Sequence, residues 1–443
     1  MLRTRTLPLV WLAAMAASPA LAVQDGGEAP SKPRGLVPVP TDLADRARHL
    51  LGDPGGRRGD LAEAGLQIDA IGTQVVQDVV SGGQARGAET GGKLETYWKL
   101  DLDRMGALPG ALVTLRTESR AGSSVNRTSG AVLPVNDVAL FPLTDEPDED
   151  LAMAITELRY LQFLSKEFGL FLGKFTTLGG DANEFAGGRG DSQFLGHAFL
   201  ASSVTALVNP YSTLGLGALW MPREGLTVST SLFSAADSST SSGLDDLDEG
   251  WVWTGSVRGQ YEWRGAPGGM TLTGQYGFDN EFVDFEGSFV GSSGVQLPLT
   301  RDSWNLTWNL WQYLFVEPGS TDRVDPTNGR TDLQGLGLFA RAGVADPSTN
   351  PVRSSVSAGI AMRGLVPGRD DDTAGLGLSY SDIREEPFLT GTLIDSSARR
   401  AELYYSFAFT PAAQLTLDYQ WVDSMLGTVE PADLLGLRLR LQF

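Results

Sequence analysis

Cysteine is absent from the 443 residues, so neither a disulfide framework nor a thiolate metal site is available to the chain. Histidine is nearly absent too: His49 and His197 are the only two. With no GxSxG elbow and no HExxH pair, the usual constellations of a hydrolase are missing. Basic residues are outnumbered, 34 Lys+Arg against 54 Asp+Glu, which argues against nucleic-acid partners and against a polybasic membrane anchor. No stretch reaches the roughly 18 consecutive apolar residues that a transmembrane helix needs. Nor is there a convincing long amphipathic helix.

What the chain does have is alternation. Its last stretch reads DLLGLRLRLQF, Asp433 to Phe443. If extended, it puts Leu435, Leu437, Leu439, Leu441 and Phe443 on one face and Gly436, Arg438, Arg440 and Gln442 on the other. A soluble sheet can alternate in the same way. The opposite end adds weight: Arg3 and Arg5, an apolar run from Leu7 to Ala17, and Ala20-Leu21-Ala22 predict an export signal over residues 1–22 with Val23 as mature N-terminus. An exported chain that ends on an aromatic-terminated alternating strand predicts an outer-membrane β-barrel with a polar interior, residues 61–443.

Residues 23–60, rich in Pro, Gly and Arg, read as a periplasmic lead-in with one short helical segment from Asp42 to Leu51. Extended segments follow to the end, roughly sixteen of them, the even number that bacterial barrels require. The first is expected over Leu66 to Val80, the second over Leu94 to Arg104, the ninth over Gly269 to Phe282. Trp253 and Val257 oppose Thr254, Ser256, Arg258, Gln260 and Glu262; Trp304, Leu306 and Trp308 oppose Asn305, Thr307 and Asn309. The links alternate between short turns and long loops, as in an outer-membrane barrel. Two break the pattern: Glu317 to Arg330 is long on the turn side, and Asp346 to Pro351 is short on the loop side.

The order of several blocks resembles the OprB family of carbohydrate-selective porins over nearly the whole mature length. They are LGDPGGRRGDLAEAG (Leu51 to Gly65), GGKLETYWKLDLDRMGALPGALV (Gly91 to Val113), and the stretch Gly169 to Pro222 with Gly173-Lys174-Phe175, Phe185-Ala186-Gly187-Gly188 and His197-Ala198-Phe199. GLGLFARAGVADPSTNPV (Gly335 to Val352), GLVPGRDDDTAGLGL (Gly364 to Leu378) and Glu402-Leu403-Tyr404-Tyr405 complete the series. Each is weak alone, being mostly Gly and turn chemistry; Pro54 stands where the family usually has an aromatic residue. The resemblance implies passive diffusion of sugars such as glucose, with no cofactor and no energy coupling.

Sugar passage needs a constriction lined by groups that replace water at the hydroxyls, with binding weak enough for release. On the lumen phase these are Arg116, Glu118, Arg159, Arg258, Glu262, Arg341, Arg363, Arg438 and Arg440, with Tyr97, Trp311 and Tyr404 as stacking surfaces. The loop from Thr176 to Ser212 carries Asp181, Asn183, Glu184, Arg189 and Asp191 and is long enough to be expected inside the lumen. Arg189-Gly190-Asp191 reads as a turn, and Asp245, Asp246, Asp248 and Glu249 as a solvated loop rather than a cation site. The expected partners are small sugars and outer-membrane lipid, with monomer and homotrimer both left open. A general or other-solute porin, a hydrolase using His197 with Ser192 or Ser202, and a structural barrel are the rival readings.

Overall fold

A strand that alternates apolar and polar residues is stable in a bilayer only when every backbone donor is paired and no edge remains. The computed structural model has sixteen antiparallel strands hydrogen-bonded into a closed barrel, which leaves no edge. It describes residues 35–39, 47–131, 133–140, 152–177, 179, 181–291, 294–320, 333–384, 395–424 and 427–443; the expected export signal lies outside them.

In chain order the strands are β1 (Leu66–Ser81), β2 (Gly87–Asp101), β3 (Ala111–Gly122), β4 (Ala154–Phe163), β5 (Phe168–Thr176), β6 (Ser212–Arg223), β7 (Leu226–Ser234) and β8 (Trp251–Trp263). Then come β9 (Ala266–Phe278), β10 (Ser303–Val316), β11 (Gly335–Ala345), β12 (Val352–Arg363), β13 (Thr373–Ile383), β14 (Ser397–Thr410), β15 (Ala413–Val422) and β16 (Ala432–Gln442). Each pairs with its sequence neighbour, and β16 closes on β1 with Val75 opposite Arg438.

The alternation reads through to burial. Leu435, Leu437 and Leu439 are exposed on the outer wall, while Arg438 is fully enclosed in the interior. The barrel therefore turns a hydrophobic face outward, and its interior is polar. Both irregular links are real features: β10 and β11 are joined across a long connection on the turn side, and β11 and β12 by a short one on the loop side. Expected boundaries move most at β2 and β9. β2 begins seven residues before Leu94, and β9 ends at Phe278, because Phe282–Val283 pairs with Leu299–Thr300 in a separate ribbon of the long loop. The expected helical segment Asp42 to Leu51 lies in part outside the described residues; Ala47, the first of them that is described, is helical, and a further helix, α1 (Arg57–Glu63), precedes β1.

The described parts of the lead-in are held against the turn end of the barrel. Leu36 and Val37 donate backbone N–H groups to the Asp101 carboxylate, at 2.5 and 2.8 Å, and His49 Nε2 lies 2.8 Å from Asp69.

Asp372 ties the β12–β13 turn to β14. It accepts from Arg369 twice at 2.8 Å, from the Tyr405 hydroxyl at 2.7 Å and from Ala408 N–H at 2.8 Å. Burial pushes the carboxyl pKa up, but the bonds from Arg369, Ala408 and Tyr405 outweigh it and hold the group below its ordinary value. A depressed carboxylate stabilises the fold above its unfolded value and loses that contribution as pH falls through the folded one. Asp372→Asn is expected to speed amide exchange at Ala408 by about tenfold at neutral pH, with the difference from wild type closing in acid, as read by hydrogen exchange.

A loop across the lumen

The interior is not an open tube. The connection between β5 and β6 enters the lumen, where Phe185, Ala186, Phe194, Leu195 and Phe199 are all buried. Three sets of contacts hold it there.

The first is aromatic. Phe194 meets Phe199 at 4.9 Å, Phe339 of β11 at 5.3 Å and Tyr404 of β14 at 4.9 Å, and Phe185 meets Tyr313 of β10 at 4.7 Å. The wall makes room with glycine: a Cβ on Gly337 would come within 2.0 Å of Phe185, and one on Gly377 within 2.7 Å of Phe199. The alternating GLGL segments of β11 and β13 thus place leucine toward lipid and glycine under the loop's rings.

The second is a clamp from β11. Arg341, 1% exposed, donates from Nε to Asp181 at 2.6 Å, from Nη1 to Phe199 carbonyl at 2.7 Å and from Nη2 to Ala186 carbonyl at 2.7 Å. Beside it, Asn309 of β10 donates to Asp181 and receives a bond from Asn183 at 2.6 Å. Arg258 of β8, buried on the inner wall, is within electrostatic reach of the same Asp181.

The third is an ion ladder on the opposite wall. Glu118 of β3 is wholly buried between Arg116 Nε at 3.2 Å, Arg120 at 3.0 Å and the loop's Arg189 at 3.1 Å. Tyr211 donates its hydroxyl to Glu118 at 2.6 Å, and burial pushes that phenol well above its ordinary pKa. Arg116 also pairs with Glu95 of β2, and Arg438 of β16 donates to Gly190 carbonyl at 2.7 Å. The tip is fastened further by Glu402 of β14, which accepts from Leu195 and Gly196 N–H at 2.5 and 3.0 Å.

The structure thus brings Asp181, Arg258 and Arg341 together at one shore, and Arg116, Glu118 and Arg189 at the other. Asp191 lies 4.0 Å from Lys93. Glu184, Arg363 and Arg440 line a cavity toward the turn end with about 840 Å³ of empty volume. Arg159 is buried beside Glu157, 3.7 Å away. Glu262 joins none of these groups; it is exposed at the turn end of β8. The expected stacking surfaces are engaged within the protein: Tyr97 lies under Arg116, 5.0 Å from the guanidinium carbon, Trp311 sits 6.3 Å from Tyr313, and Tyr404 belongs to the aromatic cluster. Arg189, at φ 52°, opens the tight turn expected of Arg-Gly-Asp, and all three residues face inward contacts.

Sequence reasoning passed over Lys93, Glu95 and Arg120, although Lys93, Glu95, Tyr97, Lys99 and Asp101 alternate through β2 in the same manner as the last strand. It also passed over the loop between β3 and β4 as a partner. Asp137 of that loop lies 3.1 Å from His197 Nδ1, while Ser202 lies 3.0 Å from Ser355 of β12. Among the described residues, no group of three or more His, Asp or Glu side chains is placed to hold a metal.

A closed sixteen-strand barrel with a lipid-compatible outside, a polar inside and a loop drawn across the lumen is the architecture of a porin. Residues 85–443 match the model of the carbohydrate-selective porins of the OprB family. The chain belongs to that family. The structure of Pseudomonas putida OprB at high pH has the same fold, with a TM-score of 0.75 and 19% identity over 91% of this chain and 100% of that one. Its low-pH structure gives 0.53 and 14% over 89% and 98%. None of the curated proteins matches the chain.

Proposed function

We propose that this sugar porin passes neutral monosaccharides such as glucose by passive diffusion across the outer membrane, with the narrowest passage beside Asp181, Arg258, Asn309 and Arg341. The observation that carries the reading is the loop itself. It is fixed at both shores of the lumen and sets its Asp181 carboxylate beside two guanidinium groups and an amide that stand at a single level of the wall. Such a set donates and accepts hydrogen bonds in turn, as a row of sugar hydroxyls requires.

Planar-bilayer recording in KCl with increasing glucose, together with swelling of liposomes in isotonic glucose, tests this. Ohmic current that glucose reduces, with swelling, is the expected result. Current indifferent to sugar would overturn the sugar reading and leave a general porin.

A further inference from the structure

On the side of the loop facing β5–β10 lies a second cavity, about 900 Å³ when the open lumen space it adjoins is counted, reaching toward the long-loop end. Its walls differ from those of the charged shores. β6 turns two glycines inward, Gly215 and Gly217, and the register sets Phe233 of β7 opposite the first and Phe171 of β5 opposite the second. A Cβ on Gly215 would come within 2.3 Å of Phe233, and one on Gly217 within 2.4 Å of Phe171. Both rings therefore lie down on the bare backbone of β6. Phe175 stands against them edge-on, at 5.4 and 5.5 Å with interplanar angles of 67° and 68°. Phe171 and Phe233 remain half-buried and line the cavity, so one side of each ring rests on the wall and the other is turned to the lumen.

Across from this platform the wall is polar and almost uncharged. One rung runs Ser231, Thr254, Gln275, Asn305 across β7, β8, β9 and β10. The next runs Ser229, Ser256, Thr273, Thr307 in the same way. Only in the rung below does a charge enter, with Arg258 beside Thr271 and Asn309. The upper rung is not self-satisfied: Gln275, which lines the cavity and is 8% exposed, has no hydrogen-bond partner at Oε1, and Asn305 beside it on the rung, behind the cavity lining, has none at Oδ1 or Nδ2. A buried amide without partners is costly unless a ligand or water completes it.

We propose that this cavity is a binding site for a neutral pyranose, which rests the apolar C–H face of its ring on Phe171 and Phe233 and turns its hydroxyls to the Ser/Thr/Asn/Gln rungs before passing the level of Asp181. The inference rests on the function proposed above and adds where and by what chemistry the sugar is first held. A flat aromatic face distinguishes a ring from an open chain, because a linear polyol has the hydroxyls without the C–H face.

The experiment compares current block by glucose and by sorbitol in bilayers. Wild type is expected to be half-blocked at a lower concentration of glucose than of sorbitol. Phe171→Leu/Phe233→Leu, which keeps apolar bulk but removes the flat faces, is expected to raise the half-blocking glucose concentration about fivefold to tenfold and to abolish the preference over sorbitol. Ser231→Ala/Thr254→Val, a milder change that leaves the rings in place, is expected to weaken block by both polyols. Equal block by glucose and sorbitol in wild type overturns the proposal, as does wild-type glucose block in the phenylalanine variant. A wild-type channel that no hexose blocks or crosses overturns the function reading, and this site with it.

Discussion

Replacing Arg341 with alanine is expected to widen the channel without unfolding the barrel. Arg341 stands on β11, but all four of its hydrogen bonds go to the loop: Asp181 side chain and carbonyl, Ala186 carbonyl and Phe199 carbonyl. The strand pairing of β11 with β10 and β12 uses only backbone groups and is untouched. The loss falls on the loop, whose two buried carbonyls lose their donors and whose carboxylate loses its direct ion-pair partner, with Arg258 left farther off. Breaking one partner from such a buried set costs about 3–5 kcal/mol. Asp181 is 26% exposed at its side chain and can hydrate, which places the real cost toward the lower end. The aromatic contacts of Phe185, Phe194 and Phe199 keep the centre of the loop seated, so the segment near Asp181 is the part that swings. The expected readout is faster swelling of liposomes in disaccharide and trisaccharide solutions, higher single-channel conductance, and an unchanged heat-modifiable mobility of the barrel on gels. Arg341→Lys, which reaches one acceptor but cannot fork to several, is expected to fall between the two. Unchanged size exclusion in Arg341→Ala would remove the clamp from the account of selectivity.

The wall of this barrel was legible because the side-chain period of a strand is two, and β16 carries that period without a fault. The same rule placed Arg116, Glu118, Arg258, Arg341, Arg363, Arg438 and Arg440 on strands facing the lumen. It could not say which of them stay available to a permeant. That depends on contacts between residues far apart in the chain, such as Asp181 with Arg341, 160 positions apart, and Arg189 with Glu118. Periodicity carries no information about them. The role of glycine was hidden in a more instructive way. In GLGLFARAG and TAGLGL, both within expected strands, Gly337, Gly375 and Gly377 face inward, where their missing side chains admit the loop's rings. The pairing of an inward glycine column with an aromatic-rich long loop is a signal that spans both segments, and neither segment shows it alone. The hydroxyl rungs were hidden for a similar reason: Ser and Thr on a lumen face look generic until the register aligns them across four strands.

Glu118→Ala is expected to do the opposite of Arg341→Ala, weakening the barrel more than it widens the channel. Glu118 is 0% exposed and joins elements of the wall to one another as well as to the loop: Thr156 of β4 donates to it at 2.8 Å, Arg116 and Arg120 approach it from β3, and Tyr211 from the root of β6. Removing the carboxylate leaves three guanidinium groups in one enclosed space with fewer counter-charges than before. Arg116 keeps Glu95 and Arg120 keeps the Asp137 carbonyl, whereas Arg189 loses its carboxylate partner outright. An uncompensated buried charge costs about 3–5 kcal/mol, against about 1.5–3 kcal/mol for the charged hydrogen bonds that Glu118→Gln would weaken while keeping the shape. The order of unfolding temperature, followed by heat-modifiable mobility, is therefore expected to be wild type, then Glu118→Gln, then Glu118→Ala. Adding Arg189→Ala to Glu118→Ala should recover part of the loss, because it removes the charge left alone; a coupling of about 0.5–3 kcal/mol is the range for side chains in direct contact. If the two changes simply add, Arg189 is hydrated in the lumen and the ladder is not the second mooring of the loop. If they couple, the loop is held from both shores, and the passage between Asp181 and the hydroxyl wall keeps its width because neither end is free to move.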